Sequence, residues 1–579
     1  MAPLSRLFAL ALLFLLNAPA FAEEAAPAPG KTLATSIDEA VAPIAKLFDS
    51  IIFYGVKVTD GVTLPIVLVL LGFTAVFLTI YFKFINLRGF GVALRTARGK
   101  YTPHDAPGEI THFQALSAAL SATVGLGNIG GVAVAVGVGG PGATFWMIVM
   151  GLCGMTTKFA ECTLGVKYRK IMKNGTVKGG GMYYLSDGLK ERGLGGLGKV
   201  LALVFALFVI GGSFGAGNMF QANQAFSQMS NTFPALGGAS GNGAVWFGVA
   251  MAILTGLVIL GGIVSIARVT SYLVPFMCGM YVIASLIIIF GNIDALGSAF
   301  ATIFTSAFSN EAVTGGIIGV LIQGVRRAAF SNEAGLGSAP IAHAAVKTNE
   351  PASEGFVALL EPFVDTVVVC TMSALVLVIT GTWQISAEVN PGGVDLVKAP
   401  GSTEVVRKLE AGQFLHTRKT EGDQIEVIGL VNGAFQETEK TTGWVAKSAI
   451  TSKSGVPVTS LAFASVLTWF PVVLSIAVFL FAFSTMISWS YYGQQGVMYL
   501  FSFVGEDKIH LPVIVYKIVF CLLIIVGTSA SLDNILMLSD AMVFAMVIPN
   551  LIGLYLLLPV IKRETDRYLA LVKDIDAKK

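Results

Sequence analysis

Apolar runs of membrane-spanning length recur from about residue 64 to residue 561, separated mostly by short polar loops. Their cores, at 64–84, 113–137, 143–166, 200–222, 244–263, 272–290, 315–339, 356–380, 461–489, 511–527 and 541–561, predict about eleven transmembrane helices. Two of these runs are interrupted by nearly the same tetrapeptide, Gly125-Leu126-Gly127-Asn128 and Gly335-Leu336-Gly337-Ser338, and each opens one half of the hydrophobic sequence. Glycines let a helix unwind, and unwound backbone is tolerated at membrane depth only where protein or a water-filled cavity satisfies its polar groups. Close packing through small residues would account for either cluster alone. Matched clusters in corresponding positions instead predict two broken helices with a binding site between them near the bilayer midplane.

The helical pattern fails over residues 383–460, where period-two alternation takes over. Val394-Asp395-Leu396-Val397, a Pro400-Gly401 turn, Val405 to Leu409, Ile425 to Ile428 and Gly443-Trp444-Val445 follow one another. This order resembles a bacterial SH3-like β-barrel. As an outward-facing insert it is either a structural lid or a contact for a periplasmic or cell-wall partner. At the other end, Arg6, the apolar run Leu7–Leu16 and Ala20-Phe21-Ala22 predict a secretory signal over 1–22 with an A-x-A cleavage site. The chain then divides into a polar periplasmic segment 23–63 that opens on linker-like Ala-Pro repeats, a transmembrane part 64–382, the insert 383–460, a second transmembrane part 461–562 and a cytoplasmic tail 563–579.

Composition fixes the class: 54% hydrophobic and 13% charged residues, with a mean hydropathy of +0.75, exclude an ordinary soluble domain. The formal charge of +3 follows topology and gives no footing for nucleic-acid binding. Lys83, Arg88, Arg95, Arg98 and Lys100 follow the first span, and eight further basic residues follow the third; the stretches 227–243, 291–312 and 529–540 contain none. The positive-inside rule therefore places the mature N-terminus outside and the C-terminus in the cytoplasm. Cys153, Cys162, Cys278, Cys370 and Cys521 all lie in apolar runs without metal-ligand spacing.

A half-helix starting near Ile129 would present free N–H groups and a positive dipole end to a carboxylate. The half-helix ending near Thr123-Val124 would leave carbonyl oxygens for a cation. Glu333, beside the second break, is either a functional carboxylate or one neutralised by Arg326 and Arg327. Thr485 and Trp489 share a helical face at i, i+4. Ser484 and Thr485 either complete an oxygen cage around Na⁺ or bond back to the preceding turn. Asn218 and Gln221 need polar partners inside the bundle, and Gln221 either holds a substrate or makes an interhelical bond. Lys158 and Glu161 read as a structural i, i+3 pair. The spans contain no nucleophile–base set or metal cluster, so the chain is not read as an enzyme.

The run Ser117 to Arg169, with Gly127-Asn128-Ile129-Gly130-Gly131, Gly139-Gly140-Pro141-Gly142 and Gly154-Met155-Thr156-Thr157-Lys158-Phe159, resembles the signature of the alanine or glycine:cation symporters. So do Phe330 to Pro340 and Phe483-Ser484-Thr485 with Trp489. The resemblance implies an all-α, LeuT-type fold of two inverted five-helix repeats with one extra N-terminal span, in a bacterial inner membrane. It implies uptake of alanine, glycine and small relatives driven by Na⁺, less often by H⁺. It places the substrate at Thr123, Gly125, Gly127, Asn128, Gln221, Phe330, Ser331, Gly335, Thr485 and Trp489, and sodium at Ser121, Val124, Ser484 and Thr485. The signal and the insert stand outside the minimal family pattern. An amino-acid receptor signalling through the insert is the alternative from another class.

Overall fold

The computed structural model describes residues 33–578 except 60–61, 104, 174, 238–241, 310–315, 432–436, 440, 467 and 505–507; the expected signal 1–22 lies outside them. Among the described residues seven helices are long and apolar enough to cross a membrane, or eight when the bent pair His112–Thr123 and Gly127–Gly139 is taken as one span. This falls short of the eleven expected because two of the other helices are short and a third is broken. The remaining expected spans lie on the shorter helices Ile66–Tyr81 and Gly243–Ile259, and on the broken segment Gly316–Asn332 with Pro340–His343. The stretch 291–312, read as a loop, instead carries the helix Ile293–Ala307, which packs against Ala143–Lys167, with the Trp146 indole donating to the Ala307 carbonyl at 3.3 Å.

Helices of the first half pack against helices of the second in matching order. Ala143–Lys167 lies on Pro351–Ala358, Gly195–Phe214 on Phe470–Leu500, and Gly243–Ile259 on His510–Ser529. The first broken segment lies against Gly316–Asn332. Wide π-helical turns at Gly127–Gly131, Gly215–Met219 and Phe363–Cys370 free backbone groups where these elements meet.

Within the N-terminal segment, beyond the Ala-Pro repeats expected to be linker-like, the chain forms the helix Leu33–Ile52 and a short hairpin of Gly55–Thr59 with Val62–Pro65. The helix is amphipathic and finds partners on Leu532–Phe544 and His510–Ser529. The tail is likewise helical, within Val547–Ala577, and is tied down by Lys167–Glu564 at 2.7 Å, Lys100–Asp576 at 2.8 Å and Arg567–Glu350 at 2.8 Å.

The insert is an eight-stranded antiparallel sheet rather than the expected closed barrel. Strands run in the order Ile450–Ser452, Ala387–Val389, Phe414–Glu421, Gln424–Val431, Gly443–Ala446, Val394–Val397, Val405–Leu409, with Glu437–Glu439 on Gln424–Val431. Among the described residues the two end strands do not pair with each other, one of them being only three residues long. The expected turn at Gly401 forms with φ +74°, and Leu396, Leu409, Leu415, Val427 and Val445 fill a small core of the insert's own. Chain leaving the sheet enters the helix Val456–Ala464, which packs on the first break: Val456 N–H donates to Gln224 at 3.1 Å and the Thr459 hydroxyl to the Ile129 carbonyl at 3.3 Å.

Close crossing of Ala143–Lys167 and Pro351–Ala358 requires Gly355, where a Cβ would overlap the Thr163 hydroxyl and stand 2.7 Å from the Phe159 carbonyl oxygen. Gly355→Ala is therefore expected to destabilise the fold by about 1–3 kcal/mol. A lower thermal unfolding midpoint in detergent checks this; an unchanged midpoint would show that the crossing is slack.

Candidate functional site

The first broken helix opens on a capping box in which the Thr111 hydroxyl accepts from Gln114 N–H and the Gln114 side chain accepts from Thr111 N–H. It ends at Thr123, and the chain bends by 51° before resuming. Side chains take up the N–H groups freed at the bend: Asn128 Oδ1 accepts from Gly125 at 2.8 Å, and Gln221 Oε1 from Leu126 at 3.1 Å. Gln221 also donates to the Ala216 carbonyl released by the π turn, at 3.0 Å. Gln221 thus makes an interhelical bond, and Asn218 behaves likewise, donating to the Phe520 carbonyl at 2.6 Å.

The second break runs through Glu333, Gly335 and Gly337, at φ +56°, +92° and +77°. Asn332 Oδ1 accepts from Ala334 N–H at 3.0 Å. Glu161 accepts from Gly337 N–H at 3.0 Å, and Asn550 bridges Glu161 and the Gly335 carbonyl at 2.5 and 2.8 Å. Glu333 accepts from the Trp489 indole at 2.9 Å and from the Ser338 hydroxyl.

Asp365 joins the two breaks. Its carboxylate accepts from Asn128 Nδ2 at 2.6 Å, from the Ser331 hydroxyl at 2.9 Å and from the Thr366 hydroxyl at 2.6 Å. Sequence reasoning missed this residue. The available signal was the spacing of Glu354, Glu361 and Asp365 at i, i+7 and i+11, which sets three acids on one face of a buried helical stretch.

A cavity opens where the breaks meet, lined by Ala122, Thr123, Gly127, Ala216, Gln221, Phe330, Glu333, Trp489 and Val543. It leaves about 10 Å³ for the centre of a water-sized particle, close to the minimum for one water. Of the expected substrate residues, Thr123, Gly127, Gln221, Phe330 and Trp489 line it. The others stand behind: Asn128 braces the first break and Ser331 bonds Asp365. A Cβ on Gly125 would point at Gln221 and Thr485, and one on Gly335 would point at Leu71. Thr485 donates to the Ser121 carbonyl at 3.0 Å.

That last contact brings two expected sodium ligands together. The Ser121 hydroxyl donates to the Ser484 carbonyl at 2.7 Å, and Ser488, which the sequence reading overlooked, donates to the Ser121 hydroxyl at 3.0 Å. The Ser484 hydroxyl instead donates back to the Phe481 carbonyl at 2.9 Å, as serines in helices commonly do. Val124 closes the first half-helix with its N–H on the Leu120 carbonyl.

Two charge assignments change. Arg326 and Arg327 do not neutralise Glu333; both bond Asp540, Arg326 at 2.7 Å. Lys158 does not pair with Glu161 but with Glu361, at 2.9 Å, both fully buried. The arginines form a layered cap on one side of the cavity. Phe53 stacks on Arg326 at 4.1 Å, Asp540 bridges the two arginines, and Arg327 lies over Phe330 at 5.3 Å.

The family model described as the sodium:alanine symporter family matches residues 50–409 and 440–579. The chain belongs to that family. It is a multi-pass membrane transporter and not an enzyme. The match takes in both broken helices and most of the insert, leaving 410–439 as the unmatched stretch within it. A sodium/alanine symporter of Methanococcus maripaludis is 38% identical over 505 residues, covering 87% of this chain and 94% of its own. The amino-acid carrier protein AlsT of Bacillus subtilis is 30% identical, covering 83% and 84%. A probable sodium/glutamine symporter of the same organism is 29% identical, covering 86% of each chain. The solved structure of MhsT with L-phenylalanine is 12% identical, covering 79% of this chain and 99% of that one with a TM-score of 0.46.

Asp540 is the acceptor for two arginines, and its removal leaves both guanidinium groups without it. Asp540→Asn is expected to destabilise the protein by about 3–5 kcal/mol, the range for breaking a buried ion pair from one side. A fall in the detergent unfolding midpoint larger than that for Gly355→Ala checks this, and a neutral effect would show that water replaces the carboxylate.

Proposed function

We propose that the protein carries alanine, glycine or a similarly small neutral amino acid into the cell together with Na⁺. The observation that carries this reading is the cavity itself, bounded by backbone at both helix breaks and by Phe330 and Trp489. A zwitterion needs opposite partial charges a few ångströms apart. Gly127, at the start of the second half-helix, offers the positive dipole end, and the end of the first half-helix at Thr123 the negative one. The Glu333 carboxylate reinforces the negative side, and Phe330, Trp489, Ala216 and Val543 close round the cavity, which must widen to admit even a small amino acid and so favours a short side chain. Asn128 and Gln221 hold the first break in shape.

Sodium fits beside the first break. The Ser121 carbonyl and the Thr485 hydroxyl, 3.0 Å apart, supply hard oxygen donors, with Val124 and Ser484 adjoining. A Na⁺ placed there neutralises carbonyl charge at the end of the first half-helix and stabilises the bend that the substrate needs. Each sodium moving inward gains about 2.3 kcal/mol per 100 mV of membrane potential, enough to drive uphill uptake of a neutral solute. The paired order of helices in the two halves supports a five-plus-five inverted repeat, with the halves rocking about the fixed site. The membrane in this reading is a bacterial inner membrane, and the loop charges support an orientation with the insert on the periplasmic side.

Asn128→Ala is expected to abolish sodium-driven alanine uptake into proteoliposomes while the protein stays monodisperse; undiminished uptake would remove the site. Thr485→Ala is expected to raise the sodium concentration for half-maximal uptake about tenfold or more, the loss of one strong ligand. An unaltered sodium dependence would place the cation elsewhere.

A further inference from the structure

We propose that His343, at the inner end of the second broken helix, is a proton-binding site whose occupancy holds that end of the transport path closed. A continuous line of buried ionisable groups leads to it. The His112 ring meets the Thr102 hydroxyl at 2.7 Å through Nε2 and the Glu354 carboxylate through Nδ1. The other oxygen of Glu354 meets His343 Nδ1 at 2.6 Å, His343 Nε2 faces Glu361 at 3.4 Å, and Glu361 bonds Lys158 at 2.9 Å. His112, Glu354, His343, Glu361 and Lys158 are at most 3% exposed.

His343 has carboxylate oxygens at both ring nitrogens. A neutral imidazole carries one N–H and one lone pair, so one nitrogen would point its lone pair at a carboxylate. The imidazolium donates to Glu354 and turns its second N–H toward Glu361 at ion-pair distance, which removes the conflict. The other groups around the ring do not supply this cation. Lys158 is on the far oxygen of Glu361, Glu161 adds a further carboxylate, and Cys162 and Tyr492 lie within electrostatic reach of Glu361. Arg169 is spent on backbone, donating to the carbonyls of Ala344, Val346, Thr348 and Pro107.

The ring sits where a small change opens a path. The inner half-helix Pro340–His343 is one turn long, and the chain beyond it is clasped to residues before the first broken helix by Glu109 and Ile110 N–H on the Ala345 carbonyl and Lys347 N–H on the Ile110 carbonyl. So short a helix has few internal bonds of its own, and the two carboxylates hold it. When the proton leaves, His343 repels one of them and the clasp loosens. When the proton returns by way of His112, beside the half-buried Thr102 of the basic loop, the clasp re-forms. Loss of the proton is the high-pH state of an imidazole, so the inner end is held at low pH and freed at high pH.

The site can be tested without any transport assay; only its effect on turnover rests on the function proposed above. Hydrogen exchange of the segment 338–350, followed by mass spectrometry in nanodiscs and corrected for intrinsic rates, is expected to rise about threefold or more between about pH 7.5 and 10 in the native chain, since the two carboxylates flanking the ring hold its proton beyond the ordinary imidazole range. In His343→Gln, exchange is expected to be fast and equal at both pH values. In Glu354→Gln, where an amide can donate to a neutral ring, it is expected to be slow and equal at both. A native chain without pH dependence, or a folded variant of either kind that keeps the native dependence, overturns the proposal. If His343→Gln does not fold, the native chain and Glu354→Gln decide. Alanine uptake measured with the vesicle interior held at each pH is expected to be faster at the higher value. Absence of uptake alongside the expected exchange would reject the transport reading and leave the proton site standing.

Discussion

A helix broken inside a membrane is stable only if every peptide group it releases finds a partner, because the surrounding hydrocarbon offers none. Here that requirement falls on Asp365. One of its oxygens holds Asn128, which in turn holds Gly125 N–H at the first break; the other holds Ser331, two residues before Glu333 at the second. The π turn that carries Asp365 displaces its backbone from regular helical register, and the Asp365 carbonyl also accepts from Asn128 at 3.1 Å. Both breaks are thus built against one side chain, and movement at either is felt at the other.

Charge is distributed around this centre in two layers with different consequences. On one side the Arg326, Arg327 and Asp540 cluster is stacked between aromatic rings, Phe53 and Phe330, so the N-terminal segment and the cavity wall share one ionic layer. On the other, acids and bases alternate from Lys158 to His112, all of them buried. Buried ion pairs seldom contribute net stability over apolar packing, so a line of them is better understood through what its protons can do. The insert is coupled to the same centre, since the helix following it bonds Gln224 and the Ile129 carbonyl.

The broken helices were legible because their cause is local. Gly125-Leu126-Gly127-Asn128 lies at the observed bend, and Thr485 and Trp489, four residues apart, do lie on one face, one reaching Ser121 and the other Glu333. What escaped depends on distant partners. Nothing near Arg326 in the chain announces Asp540, which is 214 residues away, and Lys158 had a carboxylate three residues on that proved to serve Gly337 instead. The open insert sheet was misjudged for a related reason. Its alternating pattern does not show whether the last strand will reach the first.

Glu333 is a non-glycine residue held at positive φ, two and four residues before the glycines Gly335 and Gly337 that share that sign. The left-handed region penalises a β-carbon by roughly 1–2 kcal/mol, a penalty that glycine would escape. Glycine there would relieve the strain but leave the buried Trp489 N–H and the Ser338 hydroxyl without their acceptor. Backbone ease and side-chain bonding are therefore opposed at this single position, and the carboxylate keeps its place by what it accepts rather than by the shape of its own main chain.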